Sequence, residues 1–124
     1  MSWLLLDTNI ISYIVKRHPL AMKYQAMIEG HDLAISFQSN AELEQGMKKA
    51  NWGIAKQALL EKTLSRVSII QSDLSICSWW AEVRLLRRSR PIAVADAWIA
   101  ATALSYDFDL VTHNPKDFLN IPGL

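Results

Sequence analysis

Trp3-Leu4-Leu5-Leu6-Asp7-Thr8-Asn9 is an apolar run cut off by an acid. Unbroken apolar runs this short fit a strand covered on both faces, as in a parallel sheet. In open parallel sheets the ligand crevice lies outside the carboxyl ends of the strands. A strand over these residues therefore delivers Asp7 to the crevice on a rigid support. The same residues also read as a helix start, because Asp7, Thr8 and Asn9 are good capping types before Ile10 and Ile11. The positions of the other acids discriminate between the two readings.

The chain has 124 residues, the size of one domain, read here as spanning 1–124. With 51% hydrophobic and 20% charged residues it has the means to build a core and is not disordered in character. A net charge of +1 neither demands nor excludes nucleic acid, since a basic face can sit inside a neutral total. The single cysteine, Cys77, rules out an internal disulfide, and no Cys/His spacing suits zinc. The apolar start is too short for a signal peptide and no run approaches membrane-spanning length. A cytoplasmic protein with no membrane contact is expected.

Downstream, helical and strand patterns alternate. Residues 10–17 carry Ile10, Ile11, Ile14 and Val15 on one side, and Pro19 is placed to open a second helix that Gly30 ends. Leu33–Phe37 reads as a strand, followed by a helix to Lys49, in which Ser39 and Glu42 form a capping box. Asn51-Trp52-Gly53 reads as a turn, then a helix runs to Leu64 and a strand spans Val67–Ile70. Ser72 or Asp73 caps a long helix with two apolar stripes, one through Ile76, Trp79, Trp80, Val83 and Leu86, the other through Leu74, Cys77, Ala81 and Leu85. A sheet needs one stripe, so the surplus predicts contact with a second chain, or else the lining of a deep groove between helices. After Arg90-Pro91, Asp96 begins an alanine-rich helix expected to lie buried on the sheet. Leu110–Thr112 is the last clear strand, and Phe118 anchors the loop that follows. Strands alternating with helices predict parallel βαβ units in a three-layer α/β/α sandwich.

On that scheme four of the twelve acids fall on one rim: Asp7, Glu42, Asp96 and Asp117. Each has a local structural reading as a cap or a first-turn acid. Four on one rim is less easily explained that way. Two unit charges 4 Å apart repel by roughly 4 kcal/mol at an effective dielectric of about 20. Such a cluster needs a cation or raised pKa values. Oxygen ligands without histidine or thiolate favour Mg²⁺ or Mn²⁺, which activates water and neutralises charge on a phosphodiester. Thr8, Asn9, Thr112 and Asn114 add neutral polar groups on the same rim to orient acids or water. Arg87, Arg88 and Arg90, near Arg84, are candidate contacts for the phosphates of such a substrate. A haloacid-dehalogenase-type phosphatase would need a second Asp where Asn9 stands, and a phosphoryl-receiver domain would need an acid pair where Asp7 stands alone.

At Leu5–Asn9, Ile35-Ser36 with Ala41-Glu42-Leu43 and Gly46, Asp96–Ala101, and Leu110–Phe118, the chain resembles PIN domains, specifically VapC-type toxin ribonucleases of bacterial type II toxin–antitoxin systems. The matching stretches run in the family's order and span nearly the whole chain. The resemblance implies a PIN-like α/β/α sandwich with a parallel sheet of four to five strands. It implies a Mg²⁺- or Mn²⁺-dependent endoribonuclease, with Asp7 and Asp96 as main metal ligands, Glu42 and Asp117 completing the pocket, and Asn9, Thr112 and Asn114 in support. It further implies a homodimer, a cognate VapB-like antitoxin that inhibits it, and structured RNA substrates such as transfer or ribosomal RNA. A catalytically silent PIN fold that only sequesters RNA or protein is the alternative. The chain departs from the family in its short C-terminal strand region and in His113, where arginine is common.

Overall fold

The computed structural model describes residues 2–124. In the first strand, β1 (Trp3–Leu6), the apolar run serves two cores at once. The pleat sends Leu4 and Leu6 into one core and Leu5 into the other, and Leu5 and Leu6 are fully buried. After it come α1 (Thr8–Val15), α2 (Ala21–Ile28), β2 (Asp32–Ser36), α3 (Phe37–Lys49), α4 (Ile54–Leu64), β3 (Ser68–Ile70), α5 (Leu74–Leu86), α6 (Val94–Tyr106), β4 (Asp109–Val111) and one 3₁₀ turn, Pro115–Phe118.

The strands pair in parallel in the order β3-β2-β1-β4. The chain first moves from β1 toward β3, then jumps back across the sheet to place β4 beside β1. With right-handed crossovers, that reversal puts the helices before and after it on opposite faces. The core beneath α1, α2 and α4 gathers Ile10, Ile11, Tyr24, Ile35 and Leu60. The core beneath α5 and α6 gathers Ala34, Val83, Ala97, Ile99 and Ala100. The three-layer expectation holds, with the topological switch between β1 and β4.

Several local expectations are corrected. Pro19 does not open α2; it lies in the preceding turn, and the helix starts at Ala21. The strand predicted at Leu33–Phe37 is Asp32–Ser36, and Leu110–Thr112 becomes Asp109–Val111. Ser39 and Glu42 form no capping box. Ser36 is the cap instead, its hydroxyl accepting the Ser39 N–H at 3.0 Å, so α3 starts earlier and Glu42 falls in its second turn. Asp96 is the third residue of α6 rather than its first. Among the described residues there are four strands, within the four to five expected, and the segment after β4 buries Phe118 and Ile121 in the core beneath α5 and α6. On α5 only Ile76 and Val83 are fully buried, while Leu74, Trp79, Leu85 and Leu86 face outward.

Candidate active site

Asp7 carries out both roles its sequence suggested. It follows the last residue of β1, and its N–H is held by the Val111 carbonyl at 2.9 Å. It also caps α1, its Oδ1 accepting the Thr8 N–H at 2.7 Å. Its other oxygen, Oδ2, accepts the Thr112 hydroxyl at 2.7 Å, and Asn114 N–H donates to that hydroxyl oxygen at 3.1 Å. Thr112 directly follows β4, so this bond spans the topological switch. Asp7 as a whole is only 6% exposed. Burial pushes its pKa up, opposed by the bonds from Thr112 and Thr8, and Asp117 adds a further upward push; the net shift is upward.

Asp96 is half-buried in the first turn of α6. Its pKa is raised to about 6, first by burial and then by the charges of Asp7, Asp117 and Glu42. Every influence on it acts in the same direction, and no cation stands among them. All four predicted acids thus share one field. Glu42 accepts from Gln38 Nε2 at 3.2 Å. Asp117 is exposed on the 3₁₀ turn, which Phe118 pins to the core.

Among the described residues, no three His, Cys, Asp or Glu side chains stand at ligating distance. The acids feel one another through space, which reaches further than ligation. Two observations say that a hard cation suits the site. The mutual repulsion on Asp96 has no compensating positive charge. In addition, Asn9 Oδ1, two residues after Asp7, is buried with no hydrogen-bond partner among the described residues, an oxygen acceptor left unmatched. An all-oxygen donor set of this kind accepts Mg²⁺ or Mn²⁺.

Beneath the acids lies a layer that sequence reasoning missed. Ser36 and Ser39 are fully buried, and Thr8 Oγ1 donates to Ser39 Oγ at 2.9 Å. This ties the start of α1 to α3 and so sets Glu42 relative to Asp7. The Ser36-x-x-Ser39 spacing was the available signal. The arginines divide. Arg88 and Arg90 are exposed, whereas Arg87 is half-buried and tied to main-chain carbonyls: Nη1 donates to Leu119 O at 2.8 Å and Asp117 O at 3.4 Å, and Nε to Arg90 O at 2.9 Å. Arg87 therefore latches the turn that carries Asp117 to the end of α5. His113 is held by the Tyr24 hydroxyl at 2.5 Å and packs edge-on against Tyr13 and Tyr24. A concavity of about 620 Å³ lies away from the acids, between α2, the start of β2 and the end of α4, and is lined largely by apolar side chains such as Leu6, Ile11 and Met22.

The family profile described as PIN domain matches residues 4–124. Ribonuclease VapC1 of Haemophilus influenzae (strain R2866) is 36% identical over 126 residues, covering 97% of this chain and 92% of the relative. The tRNA(fMet)-specific endonuclease VapC of Shigella flexneri is 28% identical over 122 residues, with the same coverage, 97% and 92%. Among solved structures, VapBC2 from Rickettsia felis bound to a promoter DNA fragment superposes with a TM-score of 0.85 at 30% identity, covering 98% of this chain and 95% of that one. VapBC-1 from nontypeable Haemophilus influenzae gives a TM-score of 0.79 at 32% identity, covering 98% and 94%.

Proposed function

The chain belongs to the PIN domain family, and on that premise we propose that it is the toxin of a toxin–antitoxin pair, a Mg²⁺- or Mn²⁺-dependent endoribonuclease that hydrolyses RNA phosphodiester bonds. The observation that carries the reading is the convergence of Asp7, Glu42, Asp96 and Asp117 from separate segments on one uncompensated field. Relatives named as ribonucleases, similar over 97% of the chain, support it.

Asp7 and Asp96 are the residues that would hold the ion, with Glu42 and Asp117 completing the pocket. A bound Mg²⁺ or Mn²⁺ supplies activated water and offsets the charge that develops on the phosphate. The chain's own contribution is orientation. Thr112 and the Thr8 N–H fix both oxygens of Asp7 before any ligand arrives. The Ser36–Ser39–Thr8 layer fixes α3 against α1, and hence Glu42. Arg87 and Phe118 hold the turn that presents Asp117 to solvent.

The substrate is a structured RNA in the cytoplasm, of the transfer or ribosomal class, and Arg88 and Arg90, both exposed, are the candidate contacts for its phosphates. The regulator is a VapB-like antitoxin, a partner supported by the toxin–antitoxin complexes among the structural neighbours. The outward face of α5 is the surface for a homodimer. Purified protein incubated with total transfer RNA and Mg²⁺ or Mn²⁺ is expected to produce discrete cleavage products, and Asp96→Asn to produce none. Transfer RNA and, in a parallel reaction, ribosomal RNA both left intact by the wild-type protein under both metals overturn the proposal.

A further inference from the structure

Of the four glycines, three have a local reason to be glycine. Gly30 and Gly123 stand at φ of +81° and +87°, and Gly53 begins α4. Gly46 has none. It sits inside α3, its φ is not in the left-handed region, and a Cβ built there would meet nothing within 4 Å among the described residues. Glycine inside a helix is destabilising relative to alanine. Neither backbone geometry nor internal packing offsets that here. A ligand's close approach would.

The surroundings of Gly46 say where that ligand runs. Thr8, Ser12 and Lys16 form an i, i+4, i+8 row on α1 and its C-cap, and Glu42, Gly46 and Ala50 form the matching row on α3 and its C-cap. The two rows line one cleft of about 100 Å³, with Trp52 at its outer end. Each row spans roughly 12 Å at the helical rise per residue. Its inner end, Thr8 and Glu42, belongs to the acid site. Its outer end offers the cation of exposed Lys16. Between them stand the Ser12 hydroxyl on one side and the bare backbone of Gly46 on the other, with buried Leu43 also lining the cleft. Such a channel admits a chain with a negative charge set back from its reacting centre and little bulk between.

Resting on the ribonuclease reading above, we infer that the α1–α3 cleft is the track for the RNA backbone on one side of the scissile bond, with the sugar–phosphate passing over Gly46 and the next phosphate meeting Lys16. A phosphate contact of this kind is sequence-independent and salt-sensitive. Glycine at position 46 is then a binding feature retained at the expense of helix stability.

The test compares Gly46→Ala, Gly46→Leu and Lys16→Gln with wild type. Readouts are melting temperature, steady-state cleavage of total transfer RNA, and anisotropy of fluorescein-labelled transfer RNA in EDTA. Gly46→Ala is expected to melt a few degrees higher yet raise KM about tenfold with kcat little changed, because overpacking a fitted contact weakens binding in ground and transition states alike. Gly46→Leu is expected to lose more. Lys16→Gln is expected to weaken binding and lower the slope of log K against log salt by about 1. Variants that bind and cleave like wild type overturn the inference while leaving the ribonuclease reading intact. Variants that lose inhibition by an antitoxin but keep wild-type RNA kinetics also overturn it, and assign the cleft to a protein partner. A wild-type protein that neither binds nor cleaves transfer or ribosomal RNA removes both proposals together.

Discussion

The acid rim between β1 and β4 and the outer face of α5 are each unfavourable in the isolated chain, for opposite reasons. At the rim, carboxylates are buried and pushed together, and Asp96 is raised to about 6 as a result. On α5, large apolar side chains meet water: Leu74 is 86% exposed and Leu85 56%. The first cost is Coulombic and depends on pH and cations. The second is hydrophobic, indifferent to pH, and relieved only by another surface. The difference separates what the fold imposes from what it tolerates. Strand order forces the acids together, whereas α5 keeps its place through buried Ile76 and Val83, Trp80 stacked on Trp98, and the main-chain bonds of Arg84 and Arg87, so its outer residues could be polar without harm to this chain.

Three measurements would break or sharpen that contrast. Thr112→Val removes the hydroxyl on Asp7 Oδ2, and a loss of about 10–100-fold in Mn²⁺ affinity is expected by titration calorimetry, as for other partners that orient metal ligands. Affinity equal to wild type would make that bond structural only. Trp79→Glu with Leu85→Glu is expected to turn a dimer into a monomer in sedimentation, while the monomer's stability changes by no more than about 0.5 kcal/mol, as for a surface site. A large drop in monomer stability would mean the face is core.

The smallest effect is on Asp96 in metal-free protein. Its folded pKa lies above the unfolded value near 3.8, so the native state holds the extra proton between about pH 4 and 6, and stability falls as pH rises through that window. Discounted for a half-exposed group, the penalty at neutral pH is about 1 kcal/mol, so Asp96→Asn is expected to raise Tm by about 4 °C at pH 7 and hardly at all at pH 4. Mg²⁺ is expected to stabilise wild type above pH 6 and progressively less below it, because a protonated carboxyl is a poor ligand. Equal Tm for the two proteins at pH 7 would show that the rim carries no electrostatic penalty.

Much of this was legible along the chain. The run ending at Asp7 announced both a buried parallel strand and a capped helix, and both exist. Of the two caps the sequence offered before Leu74, Ser72 and Asp73, the structure uses Asp73, and the alanines after Asp96 were read as they stand. Glu42 was placed near its true position for a wrong reason: Ser36 won the capping role from Ser39 because its hydroxyl lies at the strand's end, where the Ser39 N–H needs a partner. Arg87 read as one of several surface cations, since nothing in a run of arginines says which will meet carbonyls thirty residues away.

Residue order by itself determined the elements, their alternation and the four acids, because apolar spacing and capping chemistry act over a few positions. Only the tertiary structure decided which oxygens of Asp7 are already engaged, which arginine is a latch, and why Gly46 is glycine. Those depend on contacts between segments far apart in the chain, and a spacing rule of three or four residues carries no information about what a turn a hundred residues later will bring alongside.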